Sequence, residues 1–256
     1  MHYWTMLLRH FAAATTASLT LAACAPGDSR APAAAAESSP TSTTTVPPET
    51  PFRAASPVGA TAAGTGAGRG SAPRRVVLGG VDLTGIGYDT GSPDAPIVMV
   101  DFSDFGCPFC GRHALETQPA LEREFVATGK VFYKYVPFVM GMFPNGDVAA
   151  RAAECAAEQG KFWEMHDALY ADQSAWKRGT NPAAVFRRQA AALGMNTTRF
   201  DACYTEDRGG ARTRRATEAA GRIGIRATPT FFIDGRAIEG ALPLDQFRRL
   251  LTELAR

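Results

Sequence analysis

No stripe of basic residues runs through this sequence, and 27 Lys and Arg nearly balance 25 Asp and Glu, for a net charge of +2. With only 20% charged residues, that balance argues against a nucleic-acid partner. Long apolar runs are missing as well. Phe11 to Ala23 is uncharged and mostly apolar but too short to span a bilayer, and with Arg9 and His10 before it the stretch reads as an export signal. From Ala25 to about Arg75 bulky apolar residues almost vanish, and a segment of Ala, Pro, Ser, Thr and Gly cannot bury a core. As a coil its ends would lie on the order of 40 Å apart, so it reads as a tether. One globular domain remains, from about residue 76 to residue 256.

Cysteine is scarce, with five residues, and two of them define the centre of the chain: Cys107-Pro108-Phe109-Cys110. The run before them, Ile97 to Phe102, is short, rich in β-branched residues and bounded by Pro96 and Gly106, which suits a buried strand. A helix should follow, with Cys107 at its N-cap and Pro108 at the first position, where a missing N–H costs nothing. Two cysteines at i and i+3 on a first helical turn sit roughly 5 to 6 Å apart at Cα, within reach of a disulfide. Unpaired N–H groups and the helix dipole favour a thiolate on Cys107, which makes it the expected nucleophile and Cys110 the less exposed resolving thiol. Half of a zinc site would need two more nearby ligands, and the other cysteines lie far away in sequence. A purely structural bridge is no better, since so small a loop restrains the unfolded chain little.

The other three cysteines divide into one and two. Leu21-Ala22-Ala23-Cys24 resembles the bacterial lipobox, which implies lipidation of Cys24 and an anchor on the outer face of the cell membrane, an ordinary signal peptide being the alternative. Cys155 and Cys203 are left, and an exported protein can keep such a pair oxidised. If bonded they would stabilise the fold by roughly 4 kcal/mol; the alternative is two separate buried thiols.

Along the domain, Val76-Val77-Leu78 reads as a first strand, followed by a Gly-rich loop to Pro96. Pro119 falls inside the helical pattern after Cys110 and should kink it. Val131 to Val139 alternates as a strand with about half its apolar residues facing the core. From about 146 to 223 the pattern is helical throughout, with Trp163 and Trp176 as packing residues. Thr230 to Ile233, the Asp234-Gly235 turn and Arg236 to Glu239 form a hairpin, and Leu244 to Leu254 a closing amphipathic helix. His113 reads as a solvated surface residue.

This order, with Val100-Asp101-Phe102-Ser103-Asp104-Phe105-Gly106-Cys107-Pro108-Phe109-Cys110, Gln159 to His166 and Gly224 to Ile233, resembles the DsbA-like family of exported thiol-disulfide oxidoreductases. The resemblance implies an α/β thioredoxin fold with a helical insertion between the central strand and the C-terminal β-hairpin. It implies a cis bond at Thr228-Pro229, with the Thr228 backbone beside Cys107 where an extended substrate can pair as an added strand. It also places Asp101 where thioredoxin-like proteins carry a buried acid beneath the disulfide, able to exchange a proton with the resolving thiol; a solvated strand-end Asp is the alternative. No small-molecule cofactor or metal is indicated. Implied partners are reduced or misoxidised exported proteins and a membrane oxidase of the DsbB or vitamin K epoxide reductase type. Phe109 departs from the strongest oxidants of the family, which carry His there. The expected function is a disulfide-forming oxidase; a reductase or isomerase using the same cysteines, or a non-catalytic thioredoxin-like binding lipoprotein, are the rivals.

Overall fold

The computed structural model describes residues 74–256. The export signal, Cys24 and nearly all of the tether lie outside the described residues. Arg74 is already part of the domain, its guanidinium donating to the carbonyls of Pro93 and Ala95 at 2.7 and 2.5 Å.

The centre of the structure is a mixed five-stranded sheet. Its strands in chain order are β3 (Tyr88–Thr90), β4 (Ile97–Ser103), β5 (Val131–Pro137), β6 (Thr230–Ile233) and β7 (Arg236–Glu239), following a small hairpin of β1 (Val77–Leu78) and β2 (Val81–Asp82). The spatial order is β3-β5-β4-β6-β7, with β4 parallel to β5 and antiparallel to β6. β4 lies in the middle because its β-branched and aromatic residues are apolar on both faces. Ile97 and Met99 enter one cluster and Val100 and Phe102 the other, and all four are buried.

Two sequence expectations change here. The segment up to Pro96 is more than a loop: Gly79 and Gly80, both at positive φ, turn the β1-β2 hairpin, and β3 forms an edge of the main sheet. β3 is recruited by distant contacts, since Tyr88 stacks on Phe162 and its hydroxyl donates to Glu154 at 2.5 Å. β5, in turn, is buried along its whole length. Val131, Tyr133 and Tyr135 face one cluster and Phe132 and Val136 the other, so alternation separates two cores instead of core from solvent.

The helix after Cys107 begins as α1 (Pro108–Arg112), widens into a π-helical turn (His113–Thr117), resumes as α2 (Gln118–Leu121) and widens again (Glu122–Val126). Pro119 has no N–H to give, and its ring would press on the carbonyl four residues back. The wide turn just before it takes up both problems, so the expected perturbation is a π-bulge.

After β5 come six helices: α3 (Gly146–Ala157), α4 (Phe162–Ala171), α5 (Gln173–Lys177), α6 (Pro182–Ala192), α7 (Thr197–Thr205) and α8 (Arg208–Ile223). Asn181 and Asn196 cap α6 and α7 by accepting from Ala184 N and Arg199 N, and Gly224, at φ 92°, ends α8. Trp176 is fully buried and donates to the Leu169 carbonyl at 2.8 Å. The insertion thus leaves the sheet from β5, the neighbour of the central strand, and returns at β6. Asp234 and Gly235, both at positive φ, turn β6 into β7, and α9 (Leu244–Leu254) closes the fold with Phe247 and Leu251 buried.

Candidate active site

Cys107 is the N-cap residue of α1, Pro108 occupies the first helical position, and the loop from the end of β4 delivers both from the carboxyl edge of the central strand. Opposite stands the cis Thr228-Pro229 bond at the entry to β6. The Cys107 thiol points at the Thr228 carbonyl, with sulfur and oxygen 3.3 Å apart. From the insertion, Gln173 donates to the carbonyls of Phe105 and Cys107 at 2.6 and 3.0 Å, which fixes the loop that carries Cys107.

Both thiols are free and both are buried, Cys107 at 0% and Cys110 at 1% exposure. Exposure therefore does not separate them as expected, because the Thr228-Pro229 segment lies against the outer sulfur. Their charge environments do separate them. A hydrogen bond from the Cys110 thiol holds Cys107 down to a pKa of about 6; burial works against it, while the Thr228 hydroxyl and the backbone N–H groups of Cys110 and Phe109 add to it. Thr228 Oγ1 is buried and has no hydrogen-bond partner, which leaves its hydroxyl able to turn to the Cys107 thiolate. Burial first, then the neighbouring Cys107, pushes Cys110 well up. At neutral pH the pair is one thiolate and one thiol.

Asp101 lies beneath them, 1% exposed, with Oδ1 accepting from Ser103 Oγ at 2.5 Å and Oδ2 from Tyr133 OH at 2.7 Å. Burial raises its pKa from 3.8 to about 7, against the pull of those hydrogen bonds. The Ser103 hydroxyl donates to Asp101 Oδ1 and lies near enough to the Cys110 thiol to favour its ionised form slightly, so it sits between thiol and carboxylate. Ser103 follows from the same alternation that puts Ile97, Met99 and Asp101 on one face, yet a lone Ser gave no signal by itself. Asp104 is another buried acid that the sequence reading passed over. Its place in the turn before Gly106 was visible, its burial was not.

Phe109 is 52% exposed on the first turn, with the Arg112 guanidinium 4.9 Å from its ring centre. His113 is no surface residue: it is 1% exposed, packed against Phe231 and Phe247, and neither ring nitrogen has a partner. Burial lowers its pKa to about 3 and keeps it neutral. The face of the π-helical turn that carries it is covered by β6 and α9. Away from this centre, Cys155 and Cys203 are bonded, with Cα atoms 5.7 Å apart, and join α3 to α7.

Residues 85–253 match the model of a family described as thioredoxin. The chain belongs to the thioredoxin family. Solved structures similar to this thioredoxin-family protein include oxidised BdbD of Bacillus subtilis, at TM-score 0.59 and 20% identity over 65% of this chain and 91% of that one. Wolbachia pipientis alpha-DsbA1 matches at TM-score 0.58 and 22% identity (65% and 89%), and Chlamydia trachomatis DsbA at 0.58 and 21% (65% and 90%). At these identities the likeness is one of fold. Among curated sequences the chain is 37% identical over 152 residues to Na(+)/H(+) antiporter NhaA 3 of Salinispora tropica, covering 59% of this chain and 22% of that protein. It is 32% identical over 164 residues to NhaA 1 of Salinispora arenicola, covering 63% and 24%. The chain therefore spans under a quarter of the length of these antiporters. Among the described residues no helix is long and apolar enough to cross a membrane, and no cluster of acidic, His or Cys side chains could hold a metal ion.

Proposed function

We propose that the protein is a thiol-disulfide oxidoreductase that forms disulfides in exported proteins. The observation that carries this reading is the asymmetry of the two thiols. A Cys107 thiolate stabilised at the head of α1 makes the reduced pair the favoured state, and a disulfide whose reduction is favoured is an oxidant. A client thiolate attacks Cys107 of the Cys107–Cys110 disulfide, and Cys110 leaves as a thiolate that takes a proton through Ser103 and Asp101. The second client thiolate then attacks the client sulfur of the mixed disulfide. Cys107 departs as a thiolate and the client leaves oxidised. Two electrons pass to the protein, and the disulfide itself is the redox group.

The Thr228 backbone offers a docking edge for an extended client beside the sulfur, and the exposed Phe109 ring offers apolar contact. Because Cys107 is covered, a client reaches it only when that cover parts. Reoxidation by a membrane oxidase of the DsbB or vitamin K epoxide reductase type would complete the cycle, and lipidation at Cys24 would hold the domain near it on the outer face of the cell membrane.

Equilibration with glutathione tests the direction. A reduction potential well above the thioredoxin value of roughly −270 mV is expected; a value at or below it would make the protein a reductase. Alkylation after mild reduction should modify Cys107 first, because its thiolate is the reactive form. Labelling of Cys110 first would reverse the assignment.

A further inference from the structure

The loop that presents Cys107 buries a carboxylate that the proposed cycle does not use. Asp104 is 1% exposed. Its Oδ1 accepts from Gly106 N at 2.8 Å, its backbone carbonyl accepts from Cys107 N at 3.0 Å, and its Oδ2 has no hydrogen-bonding side chain or other partner. The start of α3 closes over it so tightly that a Cβ on Gly146 would strike Oδ1. A buried oxygen without a partner is costly as part of an anion and far less so on a neutral acid.

From this geometry we propose that Asp104 stores a proton for the reduced active site and releases it when the Cys107–Cys110 disulfide re-forms, which couples the redox equilibrium to pH. The proposal rests on the oxidoreductase reading above and deepens it.

The proton balance leaves a place for such a store. Reduction of the disulfide by a client dithiol delivers two electrons and two protons. Cys110 keeps one proton. Cys107, ionised above about pH 6, keeps none, so the second proton must leave for solvent or stay nearby. Burial, and after it the charge on Cys107, raises Asp104 to about 7, so near neutral pH it can hold that proton. Disulfide formation removes the thiolate charge, and the carboxyl then ionises more readily. Cys107 faces it from the head of α1, Asp147 from α3 with the same sign of effect, and Tyr135 from β5, while the Met140 N–H from the loop beyond β5 works against the rise; none of these is a cation.

Asp104→Asn retains a side-chain oxygen for Gly106 N–H and removes the charge. Equilibria with glutathione, measured for wild type and variant from pH 5 to pH 8, should coincide at pH 5, where Asp104 is protonated. At pH 8 the variant should be the stronger oxidant by about tenfold in equilibrium constant, one pKa unit of lost repulsion. Equal behaviour at every pH, or an offset independent of pH, would overturn the proposal. A second measurement needs no variant: the Asp104 carboxyl, followed by carbon NMR in wild type, should titrate at higher pH in the reduced protein than in the oxidised one, and equal midpoints would refute the coupling. If wild type does not exchange with glutathione at all, the oxidoreductase reading fails and this inference with it. If it exchanges and only the pH dependence is missing, Asp104 alone is misassigned.

Discussion

Asp101→Asn should make the reduced protein more stable at alkaline pH while slowing its chemistry. Asn matches Asp in size. Its oxygen can accept from Ser103 as Oδ1 does now, and the Tyr133 hydroxyl can turn to accept from the new amide. What disappears is a carboxyl that burial holds at about 7 instead of 3.8. A raised acid pKa means that the folded state binds the proton more tightly than the unfolded state. Its stabilising effect is complete below about pH 4, declines as pH rises toward 7, and is gone above that. Three pH units of difference amount to roughly 4 kcal/mol, an upper figure for a site whose hydrogen bonds must rearrange. The variant has no such decline. Urea denaturation of reduced protein should therefore show wild type and variant within about 1 kcal/mol of each other at pH 4, the scale of one altered hydrogen bond. At pH 8 the variant should be ahead by a few kcal/mol. Stopped-flow exchange should show the opposite trend for function. Without a proton donor behind Ser103, the departure of Cys110 should slow by about 10²-fold or more, the usual range for general acid–base catalysis, and mixed disulfide should form more slowly. A stability difference identical at pH 4 and pH 8 would show that Asp101 is not held protonated, and an unchanged Cys110 step would remove it from the proton route.

Phe109→His adds a donor beside the Cys107 sulfur and should move the thiol pKa below its value of about 6, raising the reduction potential by about 30 mV for each 1.4 kcal/mol gained. Thiolate absorbance against pH checks this, and an unchanged or higher pKa would mean that the side chain at 109 does not face the sulfur. Replacing Cys155 and Cys203 together by Ser opens a loop spanning 48 positions and should cost about 4 kcal/mol in the chain-entropy account, read as a lower urea midpoint. A loss under 1 kcal/mol would refute that account. In the wild type, intact mass at graded reductant should show this bond surviving after the active site is reduced.

What could be read from sequence was what local chemistry decides. A Cys-Pro pair after a β-branched run marks a strand end and a helix start, and Asp234-Gly235 marks a turn that needs two positive φ angles. A run of alanine-rich and aromatic helical periods marks the insertion. What stayed hidden depends on partners remote in sequence. Three residues of β3 carry no strand signal of their own and form a strand because Tyr88 meets Phe162 and Glu154. His113 looks like any polar helical residue until β6 and α9 cover it, and no period analysis tells which helix face will be covered twice. In β5, alternation is present in the sequence, but the two-sided burial that gives it meaning belongs to the assembled sheet. At the site, the positions of Cys107, Cys110 and Asp101 follow from spacing and alternation. The depth of Cys107 and the burial of Asp104 follow from Thr228 and Gly146, more than forty residues away in one case and over a hundred in the other.

The outer strand β7 bears on a hazard of handling unfolded chains. No further strand pairs with it among the described residues, so its outer backbone groups form an open ledge. Extended clients, as proposed above, would pass close to such a ledge, and any that zipped onto it could in turn recruit another, which is how a helper becomes a seed for co-aggregation. β7 is a poor template. It is four residues long, three of them exposed, and it begins with Arg236 and ends with Glu239, so an incoming apolar strand would have to lie against two fixed charges. For the client-handling role proposed above, the charged ends of β7 make this edge a poor place for an unfolded chain to zip on.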